Sequence, residues 1–443
     1  TLLRARWAET CVVFVLTILC VVSFSTLLTK PKLWTDEAVT LEIARNIHEH
    51  GSLNAMPSPG MWYPAPYVLQ STGYPVTLSL AAVFSIFDYG FTQARIVMLL
   101  WMLAALIATF IVIRGLFSKE IALGSILLLA TFASFHANGR TATGEVPGFA
   151  LLMLGVYFWL EKRNLWIAGA LWGLTVVTKP SLFIFLIPTI TITLLLQSKP
   201  FLERVFDVAC VGFSMIPAGL LWIFLVIPEP FSMTAWQTMY AFLTNPFATE
   251  ARVMPSLGTL IFQPTIAYFT LWFVCLVFAF RSLSESKQRA FYLFVGIFTA
   301  FAFWYYLQSP GWLRYFMIGE LLVLILLPSA LSSLSKSFET FLPRLFVQSA
   351  VPLAIGAITL FQIAQFTTAD IYSSDTSLRV AEYINTTHTN DSVLTLGNLG
   401  ISVLLATPER YTYIQLDGIP PLGNPLSSDY LPTVVIVEDA EEG

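Results

Sequence analysis

Residues 94–114 read ARIVMLLWMLAALIATFIVIR, an apolar run in which Arg95 and Arg114 are the only charged residues. A helix needs roughly 20 apolar residues to cross the hydrocarbon core of a bilayer. Only 11% of the 443 residues are charged and 56% are hydrophobic, whereas about a quarter of the residues of a soluble domain are charged. The run therefore predicts a transmembrane helix, and the composition predicts an integral membrane protein.

Similar runs along the chain predict about eleven spans. They lie near 8–28, 94–114, 121–137, 146–160, 165–178, 181–197, 205–227, 257–280, 290–307, 313–332 and 345–366. The first run is longer than a signal-peptide core and lacks a cleavage site, so we expect it to be retained. The stretch from Tyr74 to Phe87 is too short to span, which favours a re-entrant or interfacial helix.

The basic residues predict the orientation, because cytoplasmic loops are enriched in lysine and arginine. With the N-terminus in the cytoplasm, every cytoplasmic connection contains a basic residue. These residues are Arg4, Arg6, Arg114, Lys119, Lys162, Arg163, Lys199, Arg204, Arg281, Lys287, Arg289, Lys336 and Arg344. The C-terminus is then outside. If residues 74–87 spanned the membrane, every later loop would change side and this agreement would vanish.

The chain divides into a transmembrane domain over 1–366, with a first outer loop at 30–93, and a small soluble extracytoplasmic α/β domain over 367–443. Asp375 is expected to cap a helix that begins at Thr376, and short strand-like runs follow it. A net charge of −4 does not favour nucleic-acid binding. The four cysteines lie in apolar runs without metal-ligand spacing, so the sequence predicts neither a disulfide framework nor a zinc site.

Reactive polar residues of the outer loops lie close to the ends of predicted spans. Asp36 and Glu37 follow the first span, Arg140 and Glu145 lie in the second outer loop, and Lys179 occupies a short turn between two spans. Ionisable groups at membrane depth are costly and are usually functional. Carboxylates can take a proton from a hydroxyl, and lysine or arginine can stabilise a phosphate. The pattern favours chemistry at the membrane face away from the cytoplasm.

Each of these residues also has a structural interpretation that the sequence leaves open. Asp36 and Glu37 would suit a helix N-terminus. Arg140 and Glu145 could form an interfacial ion pair, and Lys179 could reach lipid headgroups. Further alternatives are an interfacial anchor at Arg314-Tyr315, a cavity-lining or paired Glu320, and a metal site at His48-Glu49-His50, which a helix would disfavour by pointing these residues apart.

Short motifs follow one another from the first predicted span to the tenth. They are Trp34-Thr35-Asp36-Glu37-Ala38, Gly73-Tyr74-Pro75, Ala94-Arg95, Arg140 followed by an acid and Pro147, Thr178-Lys179-Pro180, and Arg314-Tyr315. Their order and spacing resemble the PMT-like branch of the GT-C glycosyltransferases, which includes protein O-mannosyltransferases and aminoarabinose transferases that modify lipid A. Glu145 departs from the aspartate of many relatives, and the first loop lacks a clear phosphate-gripping lysine, which leaves the sugar and acceptor open.

The resemblance implies an all-α, GT-C-like polytopic fold and transfer of a sugar from a polyprenyl-phosphate donor to an acceptor hydroxyl. Asp36 would be the general base for an inverting reaction, and Glu37 and Glu145 would orient the substrates. The implied substrate- and phosphate-binding residues are Arg140, Lys179, Arg252, Arg314, Tyr315, Tyr63 and Tyr74. The expected partners are the lipid-linked donor, a glycan, lipid or protein acceptor, and membrane lipids. The implied location is the plasma or inner membrane, with an extracytoplasmic active site.

Two questions stay open at this point. Relatives differ in their use of a divalent metal, and no ligand set in the sequence predicts a metal site or another cofactor. A transporter is an alternative function, although transporters place ionisable groups near the membrane midplane, often on broken helices in inverted repeats. A polymerase or ligase acting on lipid-linked glycans is a second alternative, because it would share the lipid-phosphate chemistry.

Overall fold

The computed structural model describes residues 7–56, 62, 71–227, 232–234, 236–237, 258, 265–282, 286–309, 313–338, 343–368, 374–389, 391–396, 399–405, 411–414 and 433–437. These residues are mainly helical. The N-terminal helices are α1 (Trp7–Ser25), α2 (Thr35–His50), α3 (Tyr74–Phe87), α4 (Phe91–Leu116), α5 (Lys119–Thr131), α6 (Ala133–Arg140), α7 (Glu145–Leu160) and α8 (Leu165–Thr178). They are followed by α9 (Pro180–Phe183), α10 (Leu186–Leu195), α11 (Phe201–Val226), α12 (Thr265–Ser282), α13 (Ser286–Gln308), a 3-10 turn (Leu313–Tyr315), α14 (Met317–Ser337) and α15 (Arg344–Thr368).

Helix α14 lies inside the largest apolar core. All of its residues from Met317 to Leu331 are buried, and they pack mainly against α12, α5 and α13. A helix that is apolar all round suits burial on every side. By contrast, α11 presents large apolar side chains such as Phe206, Phe213 and Phe224 at the surface. This surface is what a membrane protein offers to lipid tails.

Four described helices, α4, α11, α13 and α14, are long and apolar enough to cross a bilayer, and α5 with α6 adds a fifth if the bent pair forms one span. Shorter apolar helices include α3, whose bounds Tyr74–Phe87 are those predicted from the sequence. The chain is therefore an integral membrane protein. The number of eleven spans stays a prediction.

The predicted span 121–137 is not one straight helix, because the chain bends by 66° between α5 and α6. Phe132 at the break has extended backbone angles, with φ −73° and ψ 118°. The apolar run gave no signal for this bend, since Phe132 is as hydrophobic as its neighbours. The bend starts a separate helix, α6, whose last residue is Arg140.

The C-terminal part contains helix α16 (Thr376–Thr387), strand β1 (Val393–Leu396), helix α17 (Leu399–Ser402), and strands β2 (Tyr411–Ile414) and β3 (Val434–Val437). The three strands form a parallel sheet in the order β2-β1-β3, with Val393 opposite Tyr411 and Val434. These elements fall where the sequence predicted them, while the domain division itself stays a prediction. Asp375 is the N-cap residue, as predicted, but its side chain makes no capping hydrogen bond: it accepts from Arg379, and Ser374 Oγ accepts the Thr376 N–H.

Candidate active site

Four charged residues from distant parts of the chain form one cluster. Arg314 donates a charge-assisted hydrogen bond to Asp36, and its Nη2 lies 3.8 Å from Glu145 Oε1. Lys179 Nζ lies 3.6 Å from the same Glu145 oxygen. Two carboxylates and two cations therefore alternate along the chain of contacts Asp36–Arg314–Glu145–Lys179. These four residues are among those that the sequence predicted to act together.

Helix ends bring these side chains together. Asp36 lies in the first turn of α2, and Glu145 is the first residue of α7. The N-terminus of a helix carries a partial positive charge, which stabilises carboxylates there. Lys179 separates α8 from α9, and Arg314 lies in the 3-10 turn before α14. The positions of two helix N-termini and two connections thus create the cluster.

Two glycines allow the Lys179 turn to pack closely against its neighbours. The Gly73 N–H donates to the Thr178 carbonyl at 2.9 Å, and a Cβ on Gly73 would lie 1.7 Å from the Val177 carbonyl oxygen. A Cβ on Gly144 would lie 2.3 Å from the Thr178 carbonyl oxygen. Any larger residue would push the backbone apart. The glycines before α3 and α7 therefore help to fix Lys179 beside Glu145.

A second ion pair lies directly behind Asp36. Arg95 Nη2 donates to Glu37 Oε2 at 2.6 Å, and both side chains are fully buried. Glu37 Oε1 accepts the Ala142 N–H at 3.1 Å, and Arg95 also donates to the Pro31 carbonyl. Glu37 thus links α2 to α4 and to the loop between α6 and α7. This contact network fixes the first turn of α2, which carries Asp36.

The carboxylates differ in their access to solvent. The Asp36 side chain is 32% exposed, whereas that of Glu145 is fully buried. Burial would raise the pKa of Asp36, but the nearby charges of Arg314 and Lys179 outweigh it, so the pKa lies below its ordinary value. Asp36 is therefore an ionised carboxylate that a substrate can reach. Arg314 also stacks on Trp34, with its guanidinium carbon 4.6 Å from the ring centre.

Residues 75–223 match the family model of dolichyl-phosphate-mannose-protein mannosyltransferases. The fold is similar to that of ArnT from Cupriavidus metallidurans bound to undecaprenyl phosphate, with TM-score 0.65 and 15% identity over 91% of this chain and 85% of that chain. The resemblance to the PMT-like GT-C family is confirmed.

Two further solved structures share the GT-C fold. ArnT from the same organism in the apo state gives TM-score 0.62 and 16% identity over 92% of this chain and 86% of that chain. The Archaeoglobus fulgidus oligosaccharyltransferase in the apo form gives TM-score 0.54 and 12% identity over 93% of this chain, and this chain covers 64% of that longer protein. No curated protein matches the chain by sequence. The family match includes Glu145 and Lys179, while Asp36 and Arg314 lie outside it.

Other predicted residues lie outside the four-residue cluster. Arg140 donates to Thr26 Oγ1 at 2.8 Å and to the Ser23 carbonyl, so the structural alternative of an ion pair with Glu145 is not what forms. The Tyr74 hydroxyl donates to the Ala218 carbonyl at 3.4 Å. The Tyr315 ring stacks edge-on against Tyr305. Their substrate roles stay predictions, and Tyr63 and Arg252 lie outside the described residues.

Some contacts in this region were not predicted from the sequence. Arg95 belongs to one of the GT-C motifs, yet nothing in the sequence indicated that it pairs with Glu37. Trp34 likewise gave no sign that Arg314 would stack on it. Such partners are far apart in the chain, and a single sequence contains no information about which distant charges meet.

The charged cluster does not fit a resident divalent metal. Within the described residues, no group of three or more His, Cys, Asp or Glu side chains is placed to hold a metal ion. Asp36 and Glu145 both contact Arg314, so a metal between them would have to displace the guanidinium. We therefore derive no step through a metal.

Proposed function

We propose that this protein is a membrane glycosyltransferase that moves a sugar from a polyprenyl-phosphate donor to an acceptor hydroxyl, with inversion, on the extracytoplasmic side. The observation that carries the proposal is the alternating cluster, in which an exposed carboxylate contacts an arginine that also contacts a buried acid. The GT-C fold supports the donor class, because the similar ArnT was solved with undecaprenyl phosphate. The basic residues in the connections at the opposite helix ends support the proposal that transfer takes place on the extracytoplasmic side.

Asp36 is the proposed general base. Its carboxylate accepts the proton of the acceptor hydroxyl while the acceptor oxygen forms a bond to the anomeric carbon of the sugar. The bond from that carbon to the phosphate oxygen breaks on the opposite face, and its electron pair leaves with the lipid phosphate. A depressed pKa keeps Asp36 ionised and ready to accept the proton.

Lys179 and Arg314 are the proposed partners of the departing phosphate. Lys179 Nζ is buried, and no hydrogen-bond partner for it lies within the described residues. A buried donor without an acceptor is costly, and such a group is commonly satisfied by a ligand or an unseen water. A phosphate oxygen would satisfy it and would spread its developing charge over both cations. Glu145 then holds the two cations in place before the donor binds.

The test is an Asp36→Asn variant in sealed right-side-out vesicles, with a membrane-impermeant acceptor and a polyprenyl-phosphate sugar in the bilayer. We expect transfer to the external acceptor by the unchanged protein and loss of transfer by at least about a hundredfold in the variant, as general-base removal predicts. An Asp375→Asn variant, which changes an exposed carboxylate paired with Arg379, is the matched control. Turnover retained by Asp36→Asn would refute the base assignment, and transfer only to an internal acceptor would refute the side.

A further inference from the structure

A second charged cavity lies at the far end of the helices that carry the active-site cluster. Helix α7 runs from Glu145 to this cavity, α8 runs from it back towards Lys179, and α13 runs from it towards the 3-10 turn with Arg314. At 1.5 Å per residue, the length of α7 places the two sites roughly 20 Å or more apart. The cavity encloses about 600 Å³ and is lined by the α7–α8 and α10–α11 connections and by residues of α12 and α13.

Positive charge predominates in the lining of this cavity. Its charged lining residues are Arg163, Lys199, Lys287, Arg289 and Asp207. Lys199 Nζ pairs with Asp207 at 2.6 Å, and Lys287 Nζ pairs with Glu161, just outside the lining, at 3.1 Å. The described charged groups in and beside this lining are thus four cations and two acids. Arg163 lies between α7 and α8, Lys199 lies between α10 and α11, and Lys287 and Arg289 lie in the first turn of α13, so their convergence is a property of the fold and not of one basic loop.

The cavity has an apolar border that faces outwards. Leu196 and Phe280 line it and are both exposed, at 60% and 46% of their surface. Trp159 and Leu293 line its inner side. A ligand that suits this arrangement has an anionic head and an apolar tail beside it. We propose that this cavity binds the phosphate headgroup of an anionic phospholipid, whose acyl chains lie over Leu196 and Phe280.

The position of the cavity agrees with this ligand. Basic pockets between transmembrane helices on the cytoplasmic side suit anionic headgroups, and each lysine or arginine near the surface contributes about 1 kcal/mol, which is about fivefold in affinity. Arg163 also has a left-handed backbone, with φ 54°. Residues other than glycine are strained in this conformation. An Arg163→Gly change therefore removes the guanidinium without adding backbone strain.

The experiment measures lipid binding to the full chain in neutral detergent by native mass spectrometry, alongside the thermal unfolding midpoint. Phosphatidylglycerol and phosphatidylcholine with the same acyl chains are the probes. We expect phosphatidylglycerol to bind more tightly and to raise the unfolding midpoint, because a ligand of the folded state stabilises it. Arg163→Gly and Arg289→Gln should each weaken phosphatidylglycerol binding about fivefold. Lys336→Gln, at the same end of the bundle but outside this cavity, should leave binding unchanged.

Equal binding of the two lipids, or unchanged binding in both arginine variants, would overturn the proposal. Inorganic phosphate is a separate arm, and stabilisation by phosphate equal to that by phosphatidylglycerol would show a site for free anions and would also overturn it. Arg163→Gly keeps the test valid if Arg289→Gln does not fold. None of these outcomes depends on sugar transfer, so the lipid site and the proposed transferase can fail independently.

Discussion

The two ends of α4 and α7 carry the same kinds of ion pair in opposite surroundings. On α4, Arg95 pairs with Glu37 in a fully buried contact, whereas Arg114 pairs with Glu9 at 3.2 Å with both side chains more than 40% exposed. At the start of α7, Glu145 and Lys179 form a buried pair. Just beyond the end of α7, Glu161 pairs with the half-buried Lys287. Each helix therefore provides its own control for the effect of burial.

The contact distances alone would suggest the wrong order of stabilisation for the two ion pairs of α7. The Lys287–Glu161 distance of 3.1 Å is shorter than the Lys179–Glu145 distance of 3.6 Å. Water screens the partly exposed Lys287–Glu161 pair, and pairs that water screens contribute at most about 1 kcal/mol. The buried pair has lost its hydration, so removing one partner leaves an uncompensated charge. Burial, more than distance, decides which pair is important, and the buried ends of both helices meet at the proposed active site.

The largest effect is expected from Arg95→Met. This change removes the guanidinium partner of the fully buried Glu37, which should cost about 3–5 kcal/mol of stability. Arg114→Met, at the other end of α4, should cost at most about 1 kcal/mol. Thermal unfolding of both variants in the same detergent measures the difference. Equal shifts of the unfolding midpoint would show that the two pairs are equivalent and would remove the basis of the comparison.

Glu145→Gln tests the same contrast on α7. The amide cannot compensate the charge of buried Lys179, and we again expect a loss of about 3–5 kcal/mol. The Asp36 carboxylate still attracts Lys179 and should place the loss near the lower end of this range. Glu161→Gln should lose no more than about 1 kcal/mol and should keep full transfer activity. Transfer that falls as far in Glu161→Gln as in Glu145→Gln would contradict the assignment of the active site to one end.

The pH dependence of transfer probes the charges around Asp36. Its pKa is lowered in the folded chain, so the stability it contributes is present above its unfolded pKa and is lost only as pH falls through the lower, folded value. This loss of stability should therefore begin below about pH 4, the ordinary range of the aspartate pKa. In Arg314→Gln, the acidic limb of the pH–rate profile should move upwards because the guanidinium no longer favours the carboxylate. An unmoved limb would mean that Asp36 is not the titrating base.

A smaller effect is expected where α2 and the residues after α3 contact the C-terminal part. The Tyr89 hydroxyl donates to the Val403 carbonyl at 2.5 Å, and Arg45 of α2 stacks on the Tyr89 ring while donating to the Leu405 carbonyl. Tyr89→Phe removes one hydrogen bond and keeps the ring, which should cost about 1 kcal/mol. Hydrogen exchange should then increase in residues 399–405. Unchanged exchange would show that this bond does not hold the C-terminal part.

Much of the candidate site could be predicted from the sequence because its residues lie at the ends of apolar runs. Asp36, Glu145, Lys179 and Arg314 each border such a run, and the hydrophobic requirement of the bilayer places run ends at one of two faces. The order of the short motifs then indicated the GT-C family. The bend at Phe132 could not be predicted in this way, since hydropathy measures how apolar a residue is and not its backbone angles.

The sequence by itself determined that the chain is a helical membrane protein and which charged residues lie near the ends of apolar runs, because both follow from composition and order along the chain. Only the tertiary structure decided that Glu37 pairs with Arg95, that Arg314 joins Asp36 to Glu145, and that Arg140 contacts Ser23 and Thr26 instead of Glu145. Pairing of charges distant in sequence depends on which helix ends pack together. Packing also determines burial, which gives similar ion pairs at the two ends of a helix different energies.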